Sequence, residues 1–83
     1  MQTFHFNAFN GSATPDPTGT ELEDVVDAKC NAMRYVAEIL TEKASKRQGC
    51  DDLRVEVTDD SGLILFTVIA SIIDAPAMGA KTD

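Results

Sequence analysis

Between Asp24 and Gly49 the apolar residues recur at helical spacing, while in one segment before and one just after they alternate singly, so a chain built this way must lay one helix across a sheet. Two neighbouring stripes can be traced on that helix. Val25, Ala28, Ala32, Val36 and Ile39 form one, and Val26, Cys30, Met33, Ala37, Leu40 and Ala44 form the other; together they predict a wide apolar face. Asp24 followed by Asp27 reads as the N-terminal cap, with Thr20 and Glu23 as an earlier alternative start. Gly49 is placed to stop the helix in a left-handed conformation. Some twenty residues at roughly 1.5 Å each span about 30 Å, enough to cross a small sheet.

Phe4, Phe6 and Ala8 alternate with His5 and Asn7, which predicts a first strand wetted on one face. Asn10-Gly11 ends it in a turn, and Pro15 and Pro17 keep the stretch up to Gly19 out of helix, with room for a short extra strand around Ala13 and Thr14. After the helix, Leu53, Val55 and Val57 alternate with Arg54, Glu56 and Thr58 in another one-sided strand. Asp59-Asp60-Ser61-Gly62 reads as a hairpin loop in which Gly62 takes positive φ. The last strand is apolar on both sides, with Ile64, Phe66 and Val68 on one face and Leu63, Leu65 and Ile69 on the other. That is the pattern of a central strand, which places it between the first strand and the Leu53 strand, antiparallel to both. The expected fold is therefore α+β: one long helix on a small, mostly antiparallel three-stranded sheet in the order β-α-β-β. Residues 1–74 form a single domain in this reading, and residues 75–83 a disordered tail.

With 83 residues there is one core, and a thin one, since a domain this short buries only about 60% of its unfolded surface. Gaining burial from a partner is the natural remedy. Fourteen acidic residues against seven basic ones give a net charge of −7, which repels nucleic acid and favours a cationic protein partner if the charge is used. The only basic cluster, Lys43, Lys46 and Arg47, falls at the helix C-terminus, where cations complement the helix dipole. No basic-then-apolar leader opens the chain, and the apolar run from Leu63 to Ile73 is too short to span a bilayer; a cytoplasmic protein with reduced Cys30 and Cys50 is expected. The two thiols match no zinc or thioredoxin-like spacing.

Taken together, these residues resemble a family of short bacterial proteins, common in alphaproteobacteria and grouped as a domain of unknown function. Its members begin with an aromatic strand and an Asp-Gly turn, continue with D-x-x-G-x-E-L and an Ala-rich helix, and finish with a V-x-D-x-x-G hairpin. The matching residues here are Phe4 and Phe6, then Asp16, Gly19, Glu21 and Leu22, then Ala28 and Ala32, then Val57, Asp59 and Gly62. Asn10 stands where such proteins often have Asp, and Glu23 where Pro is common. The motifs are turn and packing residues, so the resemblance implies a fold and carries no activity. The segment from Gly19 to Ala32 is also similar, more loosely, to small antitoxins that join a Gly-containing turn and an acidic helix start to a sheet, which implies an acidic partner of a basic protein.

Catalytic groups are scarce. His5 is the one histidine and by parity lies opposite Phe4 and Phe6; Cys30 sits among helical apolar residues as a core thiol, and the acidic neighbours of Cys50 raise its thiol pKa and disfavour the reactive thiolate. Asp51-Asp52 and Asp59-Asp60 lack the ligand spacing of a calcium loop, and isolated Gly11 and Gly19 make no phosphate loop. No metal, cofactor or catalytic residue is expected. The leading reading is a non-catalytic interaction module, homodimeric or bound to another protein, with a candidate interface of Leu63, Leu65 and Ile69 rimmed by His5 and Arg54. The competing reading is a small-ligand binder or enzyme that uses the loop Asp16, Gly19 and Glu21 with His5; in the bland version of that loop, Asp16 bonds its own turn, Gly19 takes an unusual backbone angle and Leu22 packs under the helix.

Overall fold

The computed structural model describes residues 1–48 and 52–76. Strand β1 runs over Gln2–Phe9, β2 over Ala13–Thr14 and β3 over Thr20–Leu22; helix α1 covers Val25–Ser45, and strands β4 (Asp52–Thr58) and β5 (Ile64–Ser71) follow. The class is α+β as expected, but the sheet has five strands instead of three, and every pairing is antiparallel. Its order is β2-β1-β4-β5, with β3 also paired to β1.

Two corrections follow from that order. The anticipated short strand at Ala13 and Thr14 is present, and it is joined by a second, β3, along the same edge of β1. More consequentially, β4 is the interior strand and β5 the edge. With the last strand between them and antiparallel to both, the first strand and the Leu53 strand would be parallel; instead β1 and β4 are antiparallel neighbours, and the strand parallel to β4 is β3, which leads into the helix, with β1 between them. Apolarity on both faces of β5 therefore does not mark a central position. An antiparallel sheet with one wet face also lets its interior strand β4 alternate cleanly.

The core lies between the helix and one sheet face: Phe4, Phe6 and Ala8 of β1, Leu53, Val55 and Val57 of β4, and Ala28, Ala32 and Val36 of α1 are buried. Small Ala28 and Ala32, both fully buried, let the helix approach the sheet. Asp24 caps α1 as read from the sequence, its carboxylate accepting the Asp27 amide at 2.8 Å. The second helical stripe is not part of the packed face. A helix resting on one sheet buries a single arc, and Val26, Met33 and Leu40 remain exposed while Cys30 is half-buried on the flank, not in the core. Gly49 and Cys50, to which the sequence assigns a helix stop and an unreactive thiol, lie outside the described residues, as does most of the tail.

Candidate functional site

The edge formed by β2 and β3 is broken in the middle. Ala8 pairs with Thr14 and Phe4 with Thr20, so six steps along the edge face four along β1, and two extra residues are looped out. Asp16 fills the gap in the ladder. One carboxylate oxygen accepts the backbone amide of Phe6 at 3.0 Å, where a paired strand would have offered a carbonyl, and the other accepts the amide of Gly19 at 3.0 Å. The Asp16 amide in turn donates to Oδ1 of Asn7 at 2.9 Å. Gly19 takes φ +80°, and a Cβ there would stand 2.6 Å from Cγ2 of Thr3 and 3.0 Å from Cε1 of His5, so both its backbone angle and its lack of a side chain are used.

His5 joins this loop to the distant hairpin. Its Nδ1 lies 2.8 Å from the carbonyl oxygen of Asp16 and its Nε2 2.8 Å from Oδ1 of Asp60. A carbonyl can only accept, so Nδ1 carries a proton; the Asp60 carboxylate favours a proton on Nε2 as well, and the arrangement suits imidazolium. The hydrogen bond to Asp60, followed by that to Asp16, raises the His5 pKa above its ordinary value. At Asp16, burial pushes the carboxyl upward, but the Phe6 and Gly19 amides and the nearby His5 outweigh it and leave the pKa lowered. Asp60 is available because Asp59 alone fixes the turn, accepting from the Ser61 amide and hydroxyl and from the Leu63 amide.

The structure brings Asp16, Gly19 and His5 together and leaves Glu21 exposed opposite Thr3 on β3, outside the bonded cluster. Of the proposed interface residues, Ile69 is 66% exposed, and Leu63 is exposed in the loop before β5. Leu65 is half-buried against the core. The register slips beside it, with Phe66 facing Val57 and Ile64 facing Thr58, so a period-two stripe does not run unbroken through Leu63, Leu65 and Ile69. Arg54 stacks 4.3 Å from the Phe9 ring centre and bonds Glu56 at 2.9 Å on the sheet face away from the helix. Sequence reading missed Asp60 as a partner of His5. The signal was the redundant Asp59-Asp60 pair, but only the His5–Thr58 register shows that the turn ends beside the histidine.

On the helix side of the same loop is an open cleft of about 370 Å³, lined by Phe6, Pro15, Asp16, Thr20, Asn31, Arg34, Tyr35 and Glu38. His5 is not among its walls. Among the described residues no group of three or more His, Cys, Asp or Glu side chains is placed to hold a metal ion, and no helix is long and apolar enough to cross a membrane.

A two-layer α+β domain results, with one helix, an antiparallel sheet, and a side-chain clamp at the broken edge that ties its loops together. The chain belongs to the family described as a domain of unknown function (DUF6894), whose model matches residues 3–71. No curated protein and no solved structure matches it.

Proposed function

We propose that the chain is a non-catalytic interaction module that completes its sheet by pairing the open edge of β5 with a second copy of itself. The observation that carries this reading is the contrast between the two edges. The β2/β3 edge is short, interrupted, and guarded by two prolines and Glu21, all devices that discourage strand addition. The β5 edge runs eight residues without proline, and no charged residue occurs from Ser61 to Ile73. In a chain of net charge −7, that is an edge at which two copies can meet without setting acid against acid. Antiparallel pairing of β5 with its own copy is self-complementary, as a twofold dimer requires.

A non-catalytic role fits the polar cluster, because both nitrogens of His5 and both carboxylate oxygens of Asp16 are already engaged in holding loops. A cytoplasmic setting, with Cys30 kept reduced, belongs to the same reading. The test is mass by light scattering at high micromolar concentration. Wild type is expected at twice the 8.9 kDa chain mass, and the Ile64→Lys/Ile69→Lys variant at the chain mass with unchanged circular dichroism. Both side chains are more than half exposed in the single chain, so the variant spares the core. A monomeric wild type would overturn the dimer.

A further inference from the structure

We propose that the cleft between α1 and the looped-out edge binds a small zwitterion of the amino-acid class, a molecule with an ammonium and a carboxylate a few bonds apart. The cleft is independent of the β5 edge, which lies at the other side of the sheet. Its volume of about 370 Å³ is within the range of small-molecule sites. Asn31 stands three and four residues before Arg34 and Tyr35, which in turn stand four and three before Glu38, so these side chains line one flank of the helix. Arg34 and Glu38 stand one turn apart, the same spacing at which Glu42 and Lys46 pair at 2.9 Å. Yet among the described residues neither enters an ion pair; the pairs present are His5–Asp60, Glu42–Lys46 and Arg54–Glu56. A guanidinium and a carboxylate are thus offered side by side with their charges unspent.

The opposite wall is held rigid. Asp16 lines the cleft with each of its two oxygens accepting one amide, from Phe6 and from Gly19, so its carboxylate is held in place and adds to the negative charge offered to the ligand's ammonium. Phe6, 5% exposed, contributes an aromatic floor, and Tyr35 a second aromatic surface. The chemistry that fits is a carboxylate on Arg34, an ammonium on Glu38 and an apolar or aromatic side chain over Phe6. A two-residue insertion opens this notch, and such irregularities often re-aim a sheet edge around a site.

The test is titration of isotope-labelled full-length protein with each proteinogenic L-amino acid to millimolar concentration, following backbone amide shifts. Saturable shifts from at least one of them, centred on Thr20, Asn31, Arg34, Tyr35 and Glu38, are expected. Arg34→Gln and Glu38→Gln, both at exposed positions, should each weaken that binding by about tenfold, the loss of one charge-assisted hydrogen bond. N-acetylation or carboxyl amidation of the ligand should weaken it comparably. The proposal is overturned if no amino acid gives saturable shifts there, if both variants bind as wild type does, or if the blocked ligands bind as well as the free ones. The mass of the assembly should be the same in every arm, which separates this result from the fate of the dimer.

Discussion

At the scale of single residues, the polar cluster converts proton binding into fold stability. The folded-state pKa of His5 is raised, so its contribution is complete below the unfolded value of about 6.5 and disappears as pH rises through the folded value. Asp16 works in the opposite direction: its folded pKa is lowered, so its contribution is present above the unfolded value and lost as pH falls through the folded one. Melting temperature should therefore decline as pH is raised from about 6 to about 8. His5→Gln should flatten that decline, since a glutamine keeps a hydrogen-bonding head without the titration. An equal slope in the variant would mean that another group is responsible. The sequence allowed Asp16 to bond its own turn, and it does so through Gly19. It did not reveal that the same carboxylate replaces a missing strand partner for Phe6, because that role depends on a register that no local pattern displays.

At the scale of elements, the helix was the most legible part of the chain, and its two ends show why. Asp24 and Asp27 form a cap from adjacent residues, so a local pattern suffices. The C-terminal end is less regular. Lys46 ends the helix, the Arg47 amide bonds Ala44 and the Gln48 amide bonds Lys43, and Arg47 takes φ +55°. These bonds make a Schellman closure with arginine in the left-handed position where glycine is favoured. Arg47→Gly should raise stability by about 0.5–1 kcal/mol, a shift of a few degrees in melting temperature. A lower melting temperature would show that the Arg47 side chain contributes more than its backbone angle costs. The stripes were harder to assign, because apolar periodicity reports a surface suited to burial without saying what covers it. Val36 is covered by the sheet, while Met33, three residues earlier, is 57% exposed.

At the scale of the molecule, strand identity was legible and strand order was not. Alternation in β1 and β4 and the Gly62 turn between β4 and β5 are local features, whereas the choice of β4 over β5 as the neighbour of β1 is a long-range one. Three-residue β3 was invisible for a related reason. Thr20–Leu22 has no alternation long enough to detect, and it pairs only because the chain has looped out and returned to the same edge of β1. The cleft escaped notice because its walls come from the helix flank and that returning edge, which sequence separates.

In the proposed dimer, the two looped-out residues would also set the valence of the assembly. A sheet with two open edges can add copies at both and grow without limit, whereas one with a single open edge stops at a pair. Under the proposed β5 pairing, the Asp16 insertion would leave a one-ended building block, with the irregular edge as a chain terminator. Shortening Pro15–Gly19 by two residues, to let β2 and β3 merge into one strand, should restore the second end. Such a variant is expected to pass from a closed pair to extended polymers with a cross-β signature, visible by sedimentation and by dye binding. If it stays a closed pair, the insertion has no part in limiting growth.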